Sequence, residues 1–159
     1  MMNLKMKRVL ISIDYDSTAQ KVAEVGYAFA REMKAEVFLV HVVSTYEYYS
    51  STGNSPILGF GDMGGGTITP TITRDELMGE TQKYLDKTKS TLGDESIQAI
   101  VADGETADTI LSIASEVHAD IIIMGSHSRR WLDKILMGSV TEKVMRKTKL
   151  PLFIVPTKG

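Results

Sequence analysis

The sequence of 159 residues predicts a single α/β domain over residues 1–159, with a five-stranded parallel sheet covered by helices on both faces in a Rossmann-like arrangement. Two observations carry this prediction. Short apolar runs alternate along the chain with segments whose apolar residues recur at helical spacing. The runs are apolar almost throughout, as expected for strands of a parallel sheet that is buried on both faces.

The first three elements form one βαβ unit. Arg8–Asp14 is an apolar run that ends at a carboxylate, and Val37–Val43 is a second buried strand. The helix between them begins near Ser17 or Thr18, either of which can cap it. Its predicted inward face consists of Val22, Gly26, Phe29 and Met33. Parallel strands joined in this way require a right-handed crossover.

A glycine-rich stretch without periodicity separates this unit from the next helix. Residues 46–71 are predicted to form a mobile loop or lid, because glycine disfavours regular elements. The following helix begins at Thr73, since Thr73 and Glu76 have the spacing of a capping box, and it ends at Gly93. Its predicted inward residues are Leu77, Thr81, Tyr84, Leu85, Thr88 and Leu92.

The second half of the chain continues the alternation. Ser96–Ala102 is a third strand, and Asp120–Met124 is a fourth, predicted to be central because both of its faces are apolar. Ser139–Thr148 is a last helix and Leu152–Val155 a fifth strand. The helix between the third and fourth strands turns Ala107, Ile110, Leu111, Ala114 and Val117 inward.

Composition restricts the functional classes. A net charge of −2 argues against a nucleic-acid partner held by bulk attraction to phosphates. The chain has no cysteine, and its three histidines are not at metal-ligand spacings; His41, in an apolar strand, is interpreted as a core histidine. Because Met1–Arg8 is mixed and basic, with no apolar stretch long enough for a signal peptide or a spanning helix, we expect a cytoplasmic protein without a membrane partner.

The segment that leaves the fourth strand is the main candidate for function. It contains two Gly-Ser steps, at Gly125 and Gly138, and the second of them begins a helix. Ligands of open α/β sheets bind at the carboxyl ends of strands, and the first amides of a helix attract anions. The segment can therefore wrap an anion, with Ser128, Ser139 and Thr141 as hydroxyl donors and Arg129 and Arg130 as cations. Alternatively, Ser139 and Glu142 form a capping box, and Ser139 only closes the helix.

These residues resemble the nucleotide-binding signature of the universal stress protein family, which is Gly, two residues, Gly, nine residues, Gly, then Ser or Thr. Gly125, Gly138 and Ser139 fall on this signature, while Ser128 stands where it has its second glycine. The resemblance extends to the strand that ends at Asp14, to the sequence HVV at His41–Val43 and to the closing sequence LPLFIVP.

The resemblance implies a sheet in the order 3-2-1-4-5 and an ATP-binding stress-response protein that acts as a sensor or switch, with or without Mg²⁺. Any ATP hydrolysis would be slow, because no residue is well placed as a general base. At the adenine and ribose end the resemblance implies Ser12, Asp14 and Val42. Toward the phosphates it implies Gly125, Ser126, His127, Ser128, Arg129, Arg130, Gly138, Ser139, Val140 and Thr141.

Two other functions stay open. Because Ser128 departs from the signature, the chain is alternatively a dimerisation module of the same family that binds no nucleotide. Homodimers of this family often form through the last strand, here Leu152–Val155.

Asp14, Asp16 and Thr18 also have the Asp-x-Asp-x-Thr form of haloacid-dehalogenase phosphatases. Such enzymes need a later acidic pair for Mg²⁺, and this chain has Gly125 and Ser126 after its fourth strand. Asp16 is better interpreted as a turn residue at the start of the helix.

Overall fold

Strands and helices alternate in the structure, a computed structural model that describes residues 5–44, 72–126 and 137–157. The strands are β1 (Arg8–Ser12), β2 (Glu36–Val43), β3 (Gln98–Asp103), β4 (Ile121–Gly125) and β5 (Leu152–Val155). The helices of the described residues are α1 (Ala19–Glu32), α2 (Arg74–Leu92), α3 (Thr106–Glu116) and α4 (Ser139–Lys147). The predicted loop over residues 46–71 lies outside the described residues.

The strands form one parallel sheet in the order β3-β2-β1-β4-β5, which confirms the predicted fold class. Val9 of β1 is in register with Val37 on one side and with Ile121 on the other. The prediction that the fourth strand is central was wrong, because β1 holds the centre and β4 lies between β1 and the edge strand β5. β4 nevertheless has the composition of a central strand, since helices cover both of its faces and neighbours flank both of its sides.

Helices cover both faces of the sheet, and alternate residues of β1 point toward opposite layers. Val9 and Ile11 belong to an apolar cluster with residues of α1 and α2, including Val22 and Leu85. Leu10 belongs to a second cluster that includes residues of α3 and α4: Ala107, Ile110, Ile113, Ala114 and Val144. α1 and α2 therefore cover one face of the sheet, and α3 and α4 cover the other.

α1 packs closely against β1 because it buries small residues. A Cβ on Gly26 would lie 3.0 Å from Cδ1 of Ile11, so the glycine permits the short separation between helix and strand. Met33, predicted to face inward, is 42% exposed, because the helix ends at Glu32 and Met33 is its C-cap. The buried residues of this helix are Ala19, Val22, Ala23, Gly26 and Ala30.

The boundaries of α2 and α3 follow local signals. Thr73 and Glu76 form the predicted capping box, and Gly93 ends α2 with a φ of 73°, a conformation that glycine adopts readily. In α3, Ile113 is buried at 6% exposure although it is not among the residues predicted to face inward, while Leu111 and Val117 are partly buried against the same cluster. Among the described residues, no helix combines the length and apolar character needed to cross a membrane.

Two glycines give a matched test of this backbone. Gly104 has a φ of 135°, and a Cβ there would lie 2.8 Å from Oγ1 of Thr109, so Gly104→Ala is expected to destabilise the protein by about 1–3 kcal/mol. Gly79 lies inside α2, and a Cβ there would meet nothing within 4 Å, so Gly79→Ala is expected to stabilise the protein by about 0.5–1 kcal/mol. Urea denaturation measures the free energy of unfolding of both variants. An increase in this free energy for Gly104→Ala would contradict the backbone strain inferred at this turn.

Candidate functional site

A pocket opens at the carboxyl ends of the neighbouring strands β1 and β4. The chain leaves β1 toward α1 on one face and leaves β4 toward α4 on the other, so the pocket lies where the connections diverge, the usual ligand site of open α/β sheets. The cavity itself holds about 30 Å³, and the volume rises to about 380 Å³ when the open space at its mouth is included. Its lining consists of Ser12, Ile13, Asp14, Thr18, Ala19, Val22, Thr106, Ile110, Met124, Gly125, Val140 and Thr141.

The structure brings many of the predicted site residues together in this pocket. Ser12, Asp14, Gly125, Val140 and Thr141 line it. Gly138 and Ser139 immediately precede the two lining residues of α4. Residues His127, Ser128, Arg129 and Arg130 lie outside the described residues. The sequence therefore located the two strand ends and the helix that meet at the pocket.

Val42 and Ser126 occupy other positions. Val42 is 4% exposed and packs in the apolar cluster beneath α3 and α4, away from the pocket lining. Oγ of Ser126 accepts a hydrogen bond from the backbone N of Thr157 at 3.0 Å and lies 3.2 Å from the Thr157 hydroxyl. The Ser126 side chain thus joins the end of β4 to the chain that follows β5.

Hydrogen bonds hold the two Gly-Ser steps next to each other. The backbone N of Gly138 donates to the carbonyl of Ser126 at 2.6 Å, and the backbone N of Ser126 donates to the carbonyl of Val155 at 2.9 Å. The hydroxyl of Thr141, which is 2% exposed, donates to the carbonyl of Gly125 at 2.9 Å. The first turn of α4 is therefore fixed against the end of β4, as the wrapped arrangement predicted from the sequence requires.

The start of α4 differs from the capping box considered for it. Gly138 is the N-cap, with no side-chain cap bond, and its carbonyl accepts from the backbone N of Glu142 at 3.0 Å. Ser139 is therefore the first helical residue, and the alternative that it caps the helix was wrong. The helix begins one residue earlier because the bond between Gly138 and Ser126 sets where the chain turns.

The helix starts that contribute to the pocket differ in charge. At α1, the carboxylate of Asp16 accepts from the backbone N of Thr18 at 2.8 Å and from its hydroxyl at 2.6 Å. This confirms Asp16 as a turn residue, whereas neither Ser17 nor Thr18 caps the helix with its own side chain. At α3, the carboxylate of Glu105 accepts from the backbone N of Asp108 at 2.7 Å.

Neither α1 nor α4 has a side-chain cap bond, whereas Glu105 caps α3. The first backbone N–H groups of α4 point along the helix axis and have no acceptor within the helix, as in every α-helix. They carry partial positive charge, which Asp16 and Glu105 offset at the other two helices. In the first turn of α4, the carboxylate of Glu142 pairs with Arg146 at 2.6 Å, so this helix start can attract an anion.

Other polar groups near the pocket have structural partners. His41 is 2% exposed and its Nδ1 lies 2.8 Å from the carbonyl of Ile13, which confirms its interpretation as a core histidine. Within the described ranges, no group of three or more metal-ligating side chains is close enough to hold an ion. On α4, Arg146 and Lys147 pair with exposed carboxylates at 2.6 and 2.8 Å.

Sequence reasoning missed part of the lining. Thr18 and Ala19 come from the start of α1, and Thr106 from the start of α3. These residues could have been predicted, because the helices that contain them also begin after the carboxyl end of a strand. The prediction used the start of the last helix alone. The remaining missed residues, Ile13, Val22, Ile110 and Met124, are apolar and belong to the two core clusters.

Comparison with known proteins identifies related chains. The model of the universal stress protein family matches residues 5–156. Universal stress protein MJ0577 of Methanocaldococcus jannaschii is 30% identical over 161 residues, covering 99% of each chain. The solved structure of MJ0577 superposes with a TM-score of 0.73 at 29% identity, over 98% of this chain and 99% of the other.

Two more distant structures have the same fold and were solved with ligands. A universal stress protein in complex with cAMP gives a TM-score of 0.64 at 16% identity, over 96% of this chain and 98% of the other. A universal stress protein from Archaeoglobus fulgidus in complex with dAMP gives 0.57 at 19% identity, over 95% and 98%.

Proposed function

The chain belongs to the universal stress protein family, and we propose that its pocket at the carboxyl ends of β1 and β4 binds an adenine nucleotide, with ATP as the physiological ligand. The observation that carries the proposal is the start of α4, which lines the pocket without a side-chain cap bond and is fixed to β4 by Thr141. The cAMP and dAMP bound by two proteins of the same fold support the choice of adenine.

The charges of the pocket give the nucleotide one orientation. Phosphates lie at the first turn of α4, where the amides of Ser139, Val140 and Thr141 are directed by the helix geometry. The ribose and base lie toward Ser12 and Asp14, because a carboxylate accepts hydrogen bonds from hydroxyl and amino groups and repels phosphate. The reverse orientation would bring the phosphates to the carboxylates of Asp14 and Asp16.

The remaining predicted residues complete this proposal. Arg129 and Arg130 supply positive charge to the phosphates, while His127 and Ser128 contribute from the same segment. Gly125 allows the backbone to approach the ligand, and Ser126 contributes by holding Gly138 through its main-chain carbonyl. Val42 supports the adenine end from the core, and Mg²⁺ is an optional companion of the phosphates.

The proposed role is a cytoplasmic sensor or switch in a stress response, in which the nucleotide-bound form of the protein is the signalling state. A ligand that bridges the end of β1 and the start of α4 stabilises the conformation of both by an amount that grows with its concentration. The protein then reports the nucleotide level without rapid turnover. We place a homodimer contact at β5, which among the strands of the described residues lies at the edge of the sheet beside β4.

The identity of the ligand is tested by mass spectrometry of freshly purified protein that is denatured to release bound molecules. We expect ATP, or its products ADP or AMP, and no guanine or pyrimidine nucleotide. A guanine nucleotide released in stoichiometric amount would contradict the adenine assignment.

A second test addresses the phosphatase alternative. Asp16 is engaged by Thr18, so we expect no Mg²⁺-dependent hydrolysis of p-nitrophenyl phosphate above the buffer rate. Asp14→Asn serves as the matched variant, because it keeps the shape of the side chain and removes the nucleophile. Robust turnover by the wild type that disappears in Asp14→Asn would overturn the switch and favour the enzyme.

A further inference from the structure

The chain segment that follows β1 is held by side chains from two other elements. The carbonyl of Ile13 lies 2.8 Å from Nδ1 of His41 on β2, and the carbonyl of Asp14 accepts from the Tyr84 hydroxyl on α2 at 3.1 Å. β1 ends at Ser12, where the regular pairing of the sheet stops. His41 and Tyr84 therefore bind two successive carbonyls beyond the end of the strand.

Aromatic contacts enclose the same segment. The ring of Tyr15 lies 4.3 Å from that of Tyr84, at an interplanar angle of 37°, and 6.1 Å from the ring of His41, at 64°. Burial and the nearby Asp16, Tyr15 and Asp14 raise the pKa of Tyr84. The phenol therefore remains protonated at neutral pH and keeps its donor. Three successive residues, Ile13 to Tyr15, are thus held by β2 and α2.

This arrangement links α2 to the pocket through one residue. Asp14 lines the pocket, whereas Tyr84 does not line it and packs on the face of the sheet covered by α1 and α2. The main-chain carbonyl and the side-chain carboxylate of Asp14 are attached to the same Cα, so a shift of the main chain at Asp14 also moves the carboxylate. Tyr84 can therefore influence a ligand in the pocket through the position of Asp14.

We propose that Tyr84 is a positioning residue, which holds the main chain of Asp14 so that its carboxylate meets the ribose end of the nucleotide. This inference rests on the proposed function. Tyr84→Phe removes one hydroxyl and keeps the ring that stacks on Tyr15. The expected loss of ATP affinity is about twofold to tenfold, the range for a single hydrogen bond.

Tyr27 offers a matched control for this substitution. Its hydroxyl donates to a carboxylate oxygen of Asp94 at 2.9 Å, just after the end of α2, and neither residue lines the pocket. Tyr27→Phe therefore removes a comparable phenol hydrogen bond without touching the segment after β1. Titration calorimetry with ATP is expected to give unchanged affinity for Tyr27→Phe and reduced affinity for Tyr84→Phe. Equal affinities of Tyr84→Phe and the wild type would overturn the inference and leave the proposed function intact.

A double-mutant cycle separates positioning from a general loss of structure. In an Asp14→Ala background, Tyr84→Phe is expected to cause no further loss of ATP affinity, because the group it positions is gone. The same fold loss in both backgrounds would mean that Tyr84 acts on ATP binding independently of the Asp14 carboxylate, which would overturn the positioning role.

Hydrogen exchange of the ligand-free protein tests the positioning without any nucleotide. Tyr84→Phe is expected to speed amide exchange in residues 13–16, while Tyr27→Phe leaves these residues unchanged. Unchanged exchange in Tyr84→Phe would show that the bond does not hold the segment. A wild type that binds no ATP would overturn the proposed function and the ligand role of Tyr84 together, and the exchange result would still decide whether Tyr84 fixes Asp14.

Discussion

Gly138→Val is expected to lower the affinity for ATP at least about a hundredfold while the chain remains folded. Gly138 has a φ of −68° and a ψ of 160°, an extended conformation that valine adopts readily. No side-chain cap bond is lost, so the cost to stability stays near the difference in N-cap preference, about 1 kcal/mol. The isopropyl group would stand before the first amides of α4, where the phosphates are proposed to lie.

Titration calorimetry with ATP and a thermal melt of the same sample measure both quantities for this variant. Gly138→Ser is the matched control, because its side chain is smaller and serine is a favourable N-cap. We expect its affinity to lie between those of the wild type and the valine variant. A folded Gly138→Val protein with wild-type affinity would place the phosphates elsewhere.

Ser139→Asp is expected to weaken ATP binding by about tenfold to a hundredfold and to leave the affinity for adenosine nearly unchanged. Ser139 is exposed and is the first residue of α4, so the substitution disturbs no core packing. A carboxylate in the first turn is favourable for the helix by about 0.3–1 kcal/mol. The same charge repels the phosphates proposed to lie there, so binding weakens although stability is kept.

Ser139→Asn separates charge from size, and it should bind ATP within about threefold of the wild type. Competition of ATP and adenosine against a fluorescent adenine nucleotide gives both affinities. Equal losses for ATP and adenosine in Ser139→Asp would contradict the orientation, because adenosine carries no phosphate.

The strands were predictable because their signal is local. A strand buried on both faces is a short apolar run, and β5 was predicted at Leu152–Val155 to the residue. The capping box at Thr73 and the left-handed Gly93 are likewise set by neighbouring residues. Met33 was placed wrongly because helical periodicity does not reveal where a helix ends relative to the core.

The site was predictable where it depends on strand ends and unpredictable where it depends on distant contacts. Gly125 and Asp14 follow apolar runs, so their place at the carboxyl edge could be inferred. The true start of α4 depends on the bond between Gly138 and Ser126, which local spacing does not show. The contact of Tyr84 with Asp14 joins residues 70 positions apart, and no sequence pattern announces it.

Calorimetric titration of the wild-type chain with ATP tests the central claim most directly, namely that this pocket binds an adenine nucleotide with its phosphates at α4. We expect one ATP per chain with a dissociation constant in the micromolar range or below, at least tenfold weaker binding of adenosine, and weaker binding of GTP. Absence of ATP binding at millimolar concentration, in a protein that melts cooperatively, would contradict the account and favour the dimerisation module that binds no nucleotide.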